Sequence, residues 1–270
     1  MKIAFIGGGN MAVALIGGLI KRGIAQGDLY VIDVNEDARR RATHQFAIAA
    51  SDAMDDTLLS YDVIVLAVKP QTLKTVALAL TQYLGAQLVF SIAAGVRLND
   101  LSHWLGGYER IVRAMPNMPA LVGMGMTALV SADGVDAADK QAAEEIVSAT
   151  GAHLWLDQEA DLDAVTAISG SGPAYVFYFI EALQEAARQL GMDEAQGRAL
   201  AVATFTGAAQ LAANSDEPPS LLRERVTSKG GTTAAALASF EASGIKDAIV
   251  RGALAADARA KEMGDEFGKL

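Results

Sequence analysis

The chain has no cysteine among its 270 residues, which removes disulfides, thiolate nucleophiles, iron–sulfur clusters and Cys-ligated zinc together. Histidine is scarce: His44, His103 and His153 are the whole set, so chemistry in the second half has to run without Cys or His. Basic residues are outnumbered, 22 Lys and Arg against 32 Asp and Glu, a formal net charge of −10. A nucleic-acid or anionic-membrane binder needs clustered cations, so both classes are disfavoured. Long apolar runs are missing too. The most apolar stretch, near Ala199 to Ala213, contains Thr204, Thr206, Gly207 and Gln210 and falls short of the ~18 apolar residues a span needs. The N-terminus offers one lysine and Ile3-Ala4-Phe5-Ile6 before a glycine cluster, too little for the apolar region of a signal peptide. The sequence therefore predicts a soluble, cytoplasmic protein. Six prolines beside 26 glycines and 51% hydrophobic residues exclude collagen-like and disordered chains.

What is present is a packed α/β pattern. At about 150 residues per domain the length suggests one large or two modest domains. Short β-branched runs alternate with helical patterns up to Asp157: Ile3–Ile6, Leu29–Val34, Val63–Val68, Leu88–Ile92, Ile111–Met115, Thr127–Val130 and His153–Leu156. Val63-Ile64-Val65-Leu66-Ala67-Val68 is apolar throughout, as strands covered on both faces of a parallel sheet are. The alternation predicts a Rossmann-type doubly wound sheet over residues 1–157.

After Asp157 the strand signal stops, and residues 158–270 read as an all-α domain. One helix runs from Pro173 to about Leu190, with Gly191 ending it, and another reaches about Asn214; Pro218-Pro219 break the chain. Two more helices follow around Thr232–Ala242 and Ile245–Met263. The segment Ala195–Ala213 is small and apolar around its whole circumference and has to be buried on all sides. A second copy of the chain is the predicted cover, with a central core helix of a monomer as the alternative.

Gly7-Gly8-Gly9-Asn10-Met11-Ala12 follows the first strand directly and fits G-x-G-x-x-A. In that pattern one glycine makes the tight turn, the next lets a pyrophosphate approach, and the small third residue permits close helix–strand packing. The helix start supplies unpaired N–H groups to the phosphates. Asp33 ends the second strand, where an acidic residue accepts from the ribose 2′-hydroxyl of NAD. Arg39-Arg40-Arg41 follows and offers a clamp for the 2′-phosphate of NADP, so both coenzymes remain candidates. Further strand ends carry cleft candidates: Ala67-Val68-Lys69-Pro70, Ala93-Ala94-Gly95, and Asn117 between Pro116 and Pro119.

The helical half has two glycine-rich signatures. Ser169-Gly170-Ser171-Gly172-Pro173-Ala174-Tyr175 fails as a nucleophile elbow, because the G-x-S-x-G spacing is absent and no His follows residue 153. It reads as a helix start with close backbone approach. Val226-Thr227-Ser228-Lys229-Gly230-Gly231-Thr232-Thr233 again precedes a helix, and exposed N–H groups with Ser228 make a site for a carboxylate.

The strings GGGNMA, AVKPQ (67–71), SIAAG (91–95), RAMPNMP (113–119), SGSGPAY (169–175) and VTSKGGTTAAALASFE (226–241) together resemble the Δ1-pyrroline-5-carboxylate reductase family, in the family's order, from Ile3 to about Met263. Met118 stands where that family usually has Thr, and Asp33-Val34 replaces the polar or basic residues many members use. The resemblance implies reduction of 1-pyrroline-5-carboxylate to L-proline by NADPH or NADH. It also implies a homodimer or dimer-based assembly, up to a decamer, with interleaved helical domains. It places the substrate loop on Ser228, Gly230, Gly231, Thr232 and Thr233, with Ser228 and backbone amides on the carboxylate and the Thr233 hydroxyl on the ring nitrogen. The coenzyme positions it implies are Gly7, Gly9, Asn10, Met11, Ala12, Asp33, Ala67, Val68, Lys69, Pro70, Ala93, Ala94, Gly95 and Asn117.

The chemistry agrees. Hydride transfer to an imine needs positioning and a hydrogen bond at nitrogen, while the coenzyme carries the hard step. An imine can arrive already protonated, whereas alcohol dehydrogenases usually need a His, Lys or Tyr for the hydroxyl proton. The helical half has Tyr175, Tyr178 and Lys229 but no His. The alternatives are a β-hydroxyacid dehydrogenase-like enzyme and a non-catalytic NAD(P)-sensing protein. Against the first, Lys229 lies in the glycine loop rather than inside the second domain's first helix; the second leaves VTSKGGTT without a role.

Overall fold

The computed structural model describes residues 1–269. The first part alternates strand and helix: β1 (Ile3–Ile6), α1 (Asn10–Lys21), β2 (Leu29–Ile32), α2 (Glu36–Phe46), β3 (Ala49–Ser51), β4 (Val63–Leu66), α3 (Pro70–Leu80), β5 (Leu88–Ser91), α4 (Leu98–Trp104) and β6 (Ile111–Met115). β7 (Gly125–Ser131), α5 (Ala137–Ser148), β8 (Gly151–Trp155) and α6 (Asp161–Val165) follow. The chain then turns wholly helical through α7 (Gly172–Gln189), α8 (Glu194–Ala213), α9 (Pro219–Arg225), α10 (Thr232–Ala242) and α11 (Ile245–Gly268).

The eight strands form one sheet in the order β3-β2-β1-β4-β5-β6-β7-β8. β1 lies between β2 and β4, with Ile3 opposite both Leu29 and Val63, and all four of its residues are buried. The apolar run of β4 is likewise buried throughout, since helices cover both faces of the sheet. Phe5, Leu15, Leu19 and Phe90 fill one face, and Ile64, Leu66, Leu73 and Trp104 fill the other.

Three features depart from the sequence reading. β7 runs antiparallel to β6, with Arg113 opposite Val130. Only the short segment 116–124 joins them, too little chain for the crossover a parallel return requires. β3, absent from the sequence reading, is the three-residue run Ala-Ala-Ser, with no β-branched residue to signal it. Pro218-Pro219 does more than break the chain: Pro219 is the first residue of α9, where its fixed φ suits a helix start.

Two compact units result, residues 1–171 with the described residues from 256 onward, and residues 172–255. The boundary lies after the change of period near Asp157, because α6 packs with the sheet: Leu162 is buried against Ala128 and Val130. A π-helical turn follows at Thr166–Gly170. In the first unit Arg113 is buried and donates to Glu159 Oε1 at 2.6 Å, and the same oxygen accepts the Leu98 N–H at 2.7 Å. Removing one member of a buried pair leaves an uncompensated charge, at about 3–5 kcal/mol. Glu159→Ala should therefore lower the melting temperature by roughly 10 °C, while Glu159→Gln, which keeps an acceptor, should lose less. Equal melting of both variants and the parent would show that the pair contributes nothing.

The second unit has little interior of its own. Ala187, Gly197 and Ala201 are buried, whereas Phe177 is 59% exposed, Tyr178 72%, Leu211 69% and Leu254 62%. An apolar groove of about 400 Å³ lined by Tyr175, Tyr178, Phe179, Ile245 and Ile249 lies within it. α8, apolar all round, is not the core helix of a monomer: Leu200 and Leu211 are exposed on it. Among the described residues no helix is long and apolar enough to cross a membrane.

Candidate functional site

The strand order sets the carboxyl ends of β2, β1, β4, β5 and β6 side by side, and the candidate coenzyme residues of the first unit lie on the loops that leave them. Gly7 makes the turn out of β1 with φ +106°, a conformation glycine adopts freely. Its N–H donates to the Ile32 carbonyl at 2.8 Å, and a Cβ placed on it would lie 2.6 Å from the Ala67 carbonyl oxygen and 2.9 Å from the Val68 nitrogen. The first glycine therefore ties three strand ends together. Gly9 has open space around it and is the N-cap of α1, with no side chain capping the helix. The first turn of α1, Asn10, Met11 and Ala12, thus has no side chain capping its N–H groups, the kind of helix start that suits an anion. Ala12 is fully buried, as close packing of helix on strand requires.

Asp33 braces this loop. Its Oδ2 accepts the Gly8 N–H at 2.7 Å and its Oδ1 accepts the Asn35 N–H at 2.8 Å. A carboxylate has about four acceptor positions, so each oxygen keeps one for a ribose hydroxyl. The arginine run behaves otherwise than a free clamp. Arg39 Nη1 donates to the Asp33 and Val34 carbonyls at 2.8 and 3.0 Å, and Arg41 Nη2 donates to the Gly8 carbonyl at 3.3 Å. Beside Asp33 opens a cleft of about 620 Å³, lined by Gly7, Asp33, Val34, Met54, Val68 and Gln71 among others.

Lys69 is the N-cap of α3 and Pro70 its first residue. Past β5, Ala93 is buried and Gly95 has φ +78°, with the Phe267 ring 3.1 Å from where its Cβ would be. Asn117, after β6, has both ends of its amide engaged: Oδ1 accepts the Met126 N–H at 2.9 Å and Nδ2 donates to the Ser169 carbonyl at 3.1 Å. It ties the SGSG segment to the sheet. Gly170 lies against Met115, whose Cε sits 2.7 Å from the Cβ position.

Ser228, Gly230, Gly231, Thr232 and Thr233 lie in the second unit on the turn that opens α10. The Gly231 N–H donates to the Ser228 carbonyl at 3.0 Å, and Gly230 takes φ +73° inside that turn. Gly231 is the N-cap of α10 and, like Gly9, brings no capping side chain, so the N–H groups of Thr232 and Thr233 stay open beside their hydroxyls. Uncapped N–H groups and side-chain hydroxyls thus share one turn at the start of α10.

Sequence reasoning did not find Asp52, which lines the same cleft as Asp33. Its only signal is its place just beyond β3, the strand that carries no β-branched residue.

A sequence model described as pyrroline-5-carboxylate reductase dimerisation matches residues 159–263, and one described as NADP oxidoreductase coenzyme F420-dependent matches residues 2–95. Pyrroline-5-carboxylate reductase of Pseudomonas aeruginosa is 42% identical over 269 residues, 99% of this chain and 98% of the relative. The solved pyrroline-5-carboxylate reductase of Coxiella burnetii superposes with a TM-score of 0.91 at 38% identity, covering 97% of this chain and 98% of that one. The Plasmodium falciparum enzyme, solved with NADP bound, gives 0.88 at 31% identity, covering 98% of each chain. With a glycine cradle at β1, a second open glycine turn at α10, and such identity along nearly its whole length, the chain belongs to the pyrroline-5-carboxylate reductase family.

Proposed function

We propose that this protein reduces 1-pyrroline-5-carboxylate to L-proline with NADPH or NADH, the last step of proline biosynthesis. The observation that carries the reading is the uncapped α10 start, where open N–H groups, Ser228 and Thr233 stand together in a chain 42% identical to a named reductase. The coenzyme, when bound, supplies the hydride. Gly7 and Gly9 shape the turn that admits its pyrophosphate, and the first turn of α1, from Asn10 to Ala12, donates to the phosphates. Asp33 accepts from the adenosine ribose. Ala67, Val68, Lys69 and Pro70 border the dinucleotide beyond β4, and Ala93, Ala94 and Gly95 border it beyond β5. Asn117 positions the loops beyond β6.

In the second unit Ser228 and the amides of Gly230, Gly231 and Thr232 hold the substrate carboxylate. The Thr233 hydroxyl hydrogen-bonds the ring nitrogen and orients the imine carbon for hydride attack. A protonated imine already carries its proton, so the site needs no His or Cys. Residues 1–157 hold the dinucleotide, and residues 158–270 carry the substrate site and the subunit interface. The exposed apolar side chains of α7, α8 and α11 support a homodimer or an assembly built from dimers, and a biosynthetic role of this kind belongs in the cytoplasm. The test is loss of nicotinamide absorbance when purified protein meets pyrroline-5-carboxylate with either coenzyme; absorbance unchanged with both would refute the proposal.

A further inference from the structure

We infer that the coenzyme site selects an adenosine ribose without a 2′-phosphate, so that NADH rather than NADPH is the preferred reductant. The inference rests on the proposed coenzyme role of Asp33 and goes on to choose between the two coenzymes. The cleft beside the end of β2 decides it. Among its sixteen lining residues the charged ones are Asp33 and Asp52, and no Lys or Arg is among them. Asp33 is held in place, with one N–H donor on each carboxylate oxygen at 2.7 and 2.8 Å, so it cannot swing aside without releasing Gly8.

Arg39, Arg40 and Arg41, the cations nearest in sequence, are all absent from that lining. Arg39 reaches under the β2–α2 turn to the Asp33 and Val34 carbonyls, and Arg41 reaches to the Gly8 carbonyl. Both guanidiniums brace backbone, and neither lines the cleft. The first turn of α2 adds no anion site, because Asn35 caps it by accepting from Asp37 and Ala38 N–H groups, and Glu36 and Asp37 occupy it. A ribose 2′-hydroxyl donates to the spare acceptor positions of Asp33. A 2′-phosphate brings close to two negative charges to a carboxylate that has no cation beside it among the cleft's lining residues, a juxtaposition that costs affinity.

Equilibrium binding of NAD⁺ and NADP⁺ to the full-length protein, by calorimetry at low and high salt, tests this without depending on turnover. The parent protein should bind NAD⁺ at least about tenfold more tightly than NADP⁺ at low salt, with the gap narrowing as salt screens the repulsion. Asp33→Ser should bring the two affinities together, and Asp52→Asn should narrow the gap without disturbing the Gly8 hydrogen bond. Equal or tighter NADP⁺ binding by the parent would overturn the inference, as would an unchanged ratio in Asp33→Ser or failure of NAD⁺ to bind. If pyrroline-5-carboxylate is not reduced but NAD⁺ is still preferred, the proposed activity falls and the selectivity stands.

Discussion

Thr233→Ala should lower kcat for pyrroline-5-carboxylate reduction by about 100-fold, roughly 2.7 kcal/mol of transition-state stabilisation, while the affinity for coenzyme stays at the parent value. Thr233 is the second residue of α10, and Gly231, not Thr233, is the helix's N-cap. Its hydroxyl is therefore dispensable to the helix, and Ala is a good helix former there. The melting temperature should hold within the range of an ordinary surface substitution, about 0.5 kcal/mol. A loss of turnover without a loss of stability assigns the hydroxyl to the ring nitrogen. Thr233→Ser, which keeps a donor and acceptor at the same place, should recover most of the rate. Steady-state kinetics beside thermal melting decide the matter: a kcat within twofold of the parent would leave Thr233 as a helix residue and nothing more.

The second large effect falls on Gly7. Alanine there must adopt φ +106° and press its methyl to 2.6 Å from the Ala67 carbonyl. Backbone strain of about 1–2 kcal/mol and overpacking of about 1–3 kcal/mol add to a loss of roughly 2–5 kcal/mol. Because the clash is with backbone, relief requires moving β4's end, and coenzyme affinity should fall more than about tenfold as well. Gly9→Ala separates the two consequences. Gly9 sits at φ −71° with nothing near its Cβ position, so the variant should melt like the parent. Its methyl enters the space the pyrophosphate needs, so it should still bind coenzyme weakly. Gly7→Ala with parent melting, or Gly9→Ala with parent affinity, would contradict the roles drawn from this loop.

These two loops were also the most legible parts of the sequence. A glycine turn leaving a strand and a glycine turn entering a helix each demand a backbone that few residues allow, and the observed geometry at Gly7 and Gly230 meets that demand. The continuous apolar run of β4 announced a buried parallel strand for the same reason: one physical requirement, one residue pattern. Features set by long-range contact were not legible. Asn117 offers its amide to Met126 and Ser169, the second of them far along the chain, and nothing local marks it as a tie. The Arg39-Arg40-Arg41 run looked like a phosphate clamp because charge is visible in sequence and direction is not; Arg39 and Arg41 turn to carbonyls. The reversed β7 depended on the length of one connection, and β3 on pairing with β2 rather than on its own three residues. The open apolar faces of the helical unit were foreseen from α8, whose circumference offers no polar side to water.

The central claim is that a hydride passes from the nicotinamide ring to the imine carbon of pyrroline-5-carboxylate. Its most direct test uses coenzyme deuterated at the transferring position of C4 and follows the product by mass spectrometry and NMR. L-proline should carry one deuterium on the ring carbon that had been the imine carbon and should form in step with coenzyme oxidation. Proline without the label, or coenzyme left unoxidised in the presence of substrate, would contradict it.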